Sequence, residues 1–160
     1  MTKKVNLIID GATARSGGGL HALGTILKEI ARTEKERNIN LLNVYVSKEF
    51  FEYSKSINLS KKIIRKLTIV NLPNIFYPFF QLFCIPKKQF SKIELDYFVL
   101  SSMNFIKDKN VTIMPQNLLP FDFRNIRNYG ISKELIRLLV LRVLGTISFL
   151  RSKKIIFLSE

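Results

Sequence analysis

The sequence is poor in the residues that staple or metallate small folds. It has one cysteine, Cys84, and one histidine, His21, in 160 residues. A single cysteine excludes an intramolecular disulfide framework and fits a reducing compartment. One histidine and one cysteine leave no ligand set at zinc spacing, so no metal site is expected. Tryptophan is absent, and acids are scarce: 12 Asp and Glu face 26 Lys and Arg, for a formal net charge of +14. No secretory leader is expected either. Lys3 and Lys4 precede only five apolar or neutral residues before Asp10, with no cleavage-like site, so a cytoplasmic location is expected. Both well-known phosphate loops are missing as well. No lysine follows Gly17, Gly18 and Gly19, as G-x-x-x-x-G-K-[ST] requires, and G-x-G-x-x-G does not occur.

What is present argues for an ordered domain. A hydrophobic content of 47% with 13 Phe excludes disorder, and 160 residues suit a single domain, 1–160, with a sizeable core. The charge calls for an anionic partner: nucleic acid, an anionic membrane or a phosphate-bearing substrate. Its clusters are small (Lys61-Lys62, Arg65-Lys66, Lys87-Lys88, Arg151 to Lys154), and none forms an RNA-recognition, zinc-finger or basic-zipper pattern. A membrane surface or a phosphate-bearing ligand is therefore expected ahead of nucleic acid. Coding bias toward Lys, Ile and Asn is the plain alternative.

Apolar runs alternate with helical patterns. Val5 to Ile9 reads as a buried strand, and Leu20, Leu23, Ile26, Leu27 and Ile30 follow at helical spacing. Further strands are expected at Leu41 to Val46, Leu67 to Val70, Asp96 to Ser102, Val111 to Met114 and Lys154 to Leu158, with helices at Glu49 to Lys55 and Lys133 to Leu150. The 20 residues from Leu67 to Pro86 carry no charge, a length that raises a membrane span. Asn71, Pro73, Asn74, Pro78 and Gln81 argue instead for a strand, a turn and a buried helix. The other reading of Phe76, Tyr77, Phe79, Phe80 and Phe83 is an aromatic surface touching a membrane. The alternation predicts an α/β fold, a Rossmann-like parallel sheet with helices on both faces. No helix follows the last strand, from which a second, missing domain is expected.

The candidate site lies where two loops leave apolar strands. The stretch Gly11 to Gly19 joins the first strand to its helix, and its glycines allow close approach of a ligand to backbone N–H groups. Arg15 and His21 flank it. The fifth strand runs into Gln116 and Asn117, restrained between Pro115 and Pro120. The fourth runs into Ser101-Ser102-Met103-Asn104, and the carboxyl edge of such sheets carries ligands. The competing reading of the glycines is a tight strand-to-helix turn and nothing more. Asp10 and Asp122 read as structural or as helix caps.

The strand and Gly-Gly-Gly helix start, then Met114-Pro-Gln-Asn-Leu-Leu-Pro-Phe121, a long helix and Phe149 to Glu160, together resemble the N-terminal half of group 1 (family 4) glycosyltransferases of the GT-B fold. That resemblance implies an acceptor-binding domain. Gly17, Gly18 and Gly19 would lie near the diphosphate of a nucleotide sugar, and Gln116 and Asn117 near the transfer centre. Where many relatives carry a histidine, this chain has Asn117. The family's E-x7-E pattern is absent from this sequence. No cofactor is implied beyond the donor nucleotide sugar. The implied partners are a glycan or lipid-linked acceptor, an anionic membrane surface and a separate donor-domain chain. A non-enzymatic nucleotide- or phosphate-binding module of flavodoxin-like type is the alternative.

Overall fold

Six short apolar runs each form one strand of a single parallel sheet: β1 (Val5–Gly11), β2 (Ile39–Val46), β3 (Leu67–Ile69), β4 (Leu95–Val99), β5 (Val111–Ile113) and β6 (Lys154–Ile155). The computed structural model describes residues 4–34, 36–73, 76–85, 94–106, 108, 110–116, 118–122 and 132–157. The strand order is β3-β2-β1-β4-β5-β6. This is the doubly wound order, which reverses direction between β1 and β4. It differs from the flavodoxin-like order, in which β1 and β3 are neighbours, and so corrects that part of the sequence-based alternative.

The reversal dictates where the helices go. Right-handed crossovers running one way and then the other place their helices on opposite faces. One face is covered by α1 (Gly17–Thr33), α2 (Lys48–Ser56) and α3 (Lys61–Ile64). Leu23 and Leu27 of α1, Phe50 of α2 and Ile63 of α3 pack there on Ile9, Val44 and Val46. The other face is covered by α4 (Tyr77–Phe83) and α5 (Lys133–Arg151), through Tyr77, Phe80 and Phe149 against Ile8, Tyr97, Val99 and Ile113. Strand alternation does the sorting: Ile8 points to one layer and Ile9 to the next. In β2 the register shifts opposite Leu7 and Ile8, so Leu41 and Val44 reach the same layer despite their odd spacing.

Capping divides the helices, and α1 and α4 start without a side-chain cap. Ser47, Ser60 and Ser132 each accept the backbone N–H of the third residue of the helix they open, at 3.1, 3.4 and 3.2 Å. Ser16, the residue before α1, makes no such bond, and the first turn of α1 holds no acid. That turn is Gly17-Gly18-Gly19 itself. The helix starts three residues earlier than the apolar spacing from Leu20 indicates, because glycine contributes nothing to a hydrophobic pattern.

Candidate functional site

The crevice between the carboxyl ends of β1 and β4 is where an α/β sheet of this order binds ligands. Here it holds a cavity of about 300 Å³. Thr13 comes from the end of β1, Ser101 and Ser102 from the end of β4, and Gln116 from the end of β5. Helix α5 closes the side with Arg137 and Leu141, and α4 contributes Tyr77. The Thr13 hydroxyl donates to the Leu100 carbonyl at 2.8 Å and so ties the β1 loop to the end of β4. Ser101 Oγ accepts the Met103 N–H at 3.2 Å, which turns the chain away from the sheet and leaves the cavity open.

The two loops singled out in the sequence meet at this edge. A Cβ placed on Gly19 would stand 2.7 Å from Gln116 Oε1. Gly19 therefore lets the Gln116 amide lie directly on the first turn of α1. Gly17 takes a left-handed conformation, φ 50°, which only glycine adopts without strain. Gly18 has neither feature: its φ is not positive, and a Cβ there meets nothing within 4 Å. The space over Gly17 and Gly18 is open to whatever approaches the N–H groups of that turn.

Other expected site residues lie elsewhere. Arg15 turns toward β3, where its guanidinium donates to the Leu72 carbonyl at 2.6 Å. Its Nε is buried with no hydrogen-bond partner. Arg15 thus holds the segment after β3 and is directed away from Gln116, which lies on the β5 side of β1. His21 is exposed on the second turn of α1. Asn117 lies outside the described residues. Asp122 is exposed beside a second, apolar cavity of about 400 Å³ lined by Leu118, Phe121, Phe149 and Phe157.

The residues that sequence reading missed are Thr13, Tyr77 and Arg137. Arg137 stands near the start of α5 and bonds Glu134 at 2.8 Å, with two-thirds of its side chain exposed. It brings a cation to the cavity rim. Its signal in the sequence was an arginine set, like Arg142, among the apolar residues of that helix. Tyr77 carried no signal, because it belongs to an uncharged aromatic run. Its hydroxyl donates to Asp10 Oδ1. Gln81 Nε2 donates to Oδ2 at 2.7 Å, and the Ala12 N–H to Oδ1 at 3.3 Å. Burial pushes the Asp10 carboxyl upward, and these three donors offset that only in part. Burial and the neighbouring carboxylate raise Tyr77 well above the ordinary phenol range, so its hydroxyl stays protonated at the cavity floor. Asp10 is a structural hub, consistent with its sequence-based reading.

The Gly19 contact makes a specific prediction. The clashing atom is the far end of a long side chain, and Gly→Ala in a helix gains up to about 1 kcal/mol. Gly19→Ala should leave the unfolding free energy within about 1 kcal/mol of wild type. The Gln116 amide must still swing away. In an amide NMR spectrum its side-chain NH2 signal should move while core signals stay. An unmoved signal would mean that Gln116 does not rest on the helix start.

Compared with protein-family models, curated proteins and solved structures, the chain matches none.

Proposed function

We propose that the chain is the acceptor-binding domain of a glycosyltransferase, which holds a glycan or lipid-linked acceptor while a hexosyl unit arrives from a nucleotide sugar. One observation carries this reading. The open cavity at the β1–β4 reversal combines hydroxyls (Thr13, Ser101, Ser102), an amide (Gln116) and a cationic rim (Arg137), and the same Gln116 amide rests on the glycine-only helix start beside it. Hydroxyl and amide groups suit the alternating donors and acceptors of a sugar. The free N–H groups of α1 and the Arg137 guanidinium suit a phosphate. The chain's part is to position the acceptor hydroxyl and to stabilise phosphate charge. The resemblance assigns the remaining nucleotide contacts to a second domain or a separate chain, so binding without turnover is expected from these 160 residues.

The test is calorimetric titration with polyprenyl-phosphate-linked glycans, free glycans, nucleotide sugars and free nucleotides. A phosphate-bearing acceptor should bind. Arg137→Ala should weaken it about tenfold, a charge-assisted hydrogen bond being worth about 1.5–3 kcal/mol. Gly18→Val should weaken it as well, with unchanged melting, because its side chain fills the approach to the helix start without touching the protein. Binding of free nucleotides alone would favour the non-enzymatic phosphate-binding module. Binding that ignores both substitutions would place the ligand elsewhere.

A further inference from the structure

Helix α5 reads in the sequence as a long apolar helix, yet only one of its faces is covered. Leu138, Gly145 and Ser148 are buried against the sheet side. The opposite face exposes Ile136, Leu139, Val140, Val143, Ile147 and Leu150, from 46% for Leu139 and Ile147 to 83% for Leu150. The steps 136, 140, 143, 147 and 150 follow a strict four-three spacing, so this is one continuous stripe. At 1.5 Å per residue it is about 21 Å long.

The stripe has a neighbour. Helix α4 packs on the same face of the sheet and turns Phe76, Phe79 and Phe83 outward, with Phe83 78% exposed. The two helices are fastened to adjacent residues. Gln81 Oε1 of α4 accepts the Phe105 N–H at 3.0 Å, and Ser148 Oγ of α5 accepts the Asn104 N–H at 2.9 Å. Their exposed apolar sides therefore lie next to each other on the same broad face of the sheet.

Charge identifies the occupant. Between residues 132 and 157 there are six cations, Lys133, Arg137, Arg142, Arg151, Lys153 and Lys154, and one acid, Glu134. Those at the two ends of the stripe are exposed. Helix α4 carries no charge at all. An apolar stripe with cations at both ends is the pattern of a helix lying in the headgroup region of an anionic bilayer. No described helix is long and apolar enough to cross a membrane, so the contact is interfacial. A second copy of the chain would set cationic ends close together on two molecules of net charge +14, which opposes association.

We infer that the outer faces of α4 and α5 together dock this protein flat on an anionic lipid surface. This inference is independent of which ligand the cavity takes.

The absence of tryptophan supplies a clean probe. Val143→Trp puts a lone indole at the centre of the stripe, where the side chain is exposed. Its emission should shift to the blue with vesicles of phosphatidylglycerol and phosphatidylcholine, and should stay unshifted with phosphatidylcholine alone. In flotation the wild-type chain should rise with the anionic vesicles. Val143→Glu and Phe83→Glu, both at exposed sites, should each lower the bound fraction at least tenfold with unchanged melting. Equal binding to neutral vesicles, an unshifted indole, or a Val143→Glu chain that floats like wild type would overturn the inference. So would a dimer in light scattering that Val143→Glu abolishes, since the stripe would then belong to a second copy.

Discussion

Asp10→Ala should lower folding stability by about 3 kcal/mol, because it orphans three buried donors at about 1–3 kcal/mol each while relieving one buried carboxylate. The donors are the Tyr77 hydroxyl, the Gln81 amide and the Ala12 N–H. The loss reaches beyond one residue. Gln81 also accepts the Phe105 N–H, so the network links β1, α4 and the chain leaving β4. For a domain of this size a loss of that order corresponds to about 10 °C in melting temperature. Thermal and urea unfolding read it directly, and a loss below about 1 kcal/mol would show that the donors find water or other partners.

The same group gives a pH dependence of definite sign. Burial raises the Asp10 carboxyl above the ordinary carboxylate range. Between that range and its folded value, the folded chain keeps a proton that the unfolded chain has released. This group's contribution to stability is therefore full at low pH and is lost as pH rises through the folded value. Asp10→Asn cannot titrate. Its stability deficit relative to wild type should shrink as pH rises through that window, in urea melts at a series of pH values. A deficit that grows with pH would mean that the donors outweigh burial.

Gly145→Val should be the second large effect. A Cβ at Gly145 would lie 2.6 Å from Phe121 Cζ and 3.3 Å from the Ser102 carbonyl oxygen. The phenyl ring cannot easily retreat, because it stacks on Phe149 at 5.0 Å between centroids. The carbonyl belongs to the backbone at the end of β4. A β-branched side chain there must push α5 off the sheet edge, and such overpacking costs about 1–3 kcal/mol. We expect about 2 kcal/mol in urea unfolding, with the cavity reshaped through Ser102 and Leu141, both of which line it. Wild-type stability would mean that α5 sits farther from Phe121 than described.

The sheet was legible in the sequence because each strand is a short apolar run with turn residues after it. The order of those runs also foretold the parallel arrangement. Ends were less legible. The expected strand Asp96 to Ser102 stops at Val99, since Ser101 bonds its own neighbourhood and not the next strand. The expected strand Lys154 to Leu158 pairs only at Lys154 and Ile155, and Leu158 lies outside the described residues. The meeting of Gly19 with Gln116 was legible as two loops on one edge. The roles of Tyr77 and Arg137 were not, because they depend on which side of α4 and α5 faces the sheet. A run such as Leu135 to Leu144 is apolar on nearly all sides, so periodicity does not say which face is covered. Arg15 misled for a different reason. A cation beside a glycine turn has the reach to serve either neighbour, and a carbonyl beyond β3 holds it.

The proposed function requires that the β1–β4 cavity bind a phosphate-bearing sugar acceptor. Its most direct measurement is an amide NMR titration of the chain with a short-chain polyprenyl-phosphate-linked glycan. Saturable shifts are expected at Gly17, Gly18, Gly19, Ser101, Ser102 and the Gln116 side chain, with β2 and α2 unmoved. Saturable shifts confined to other parts of the chain, or none at millimolar ligand, would contradict it.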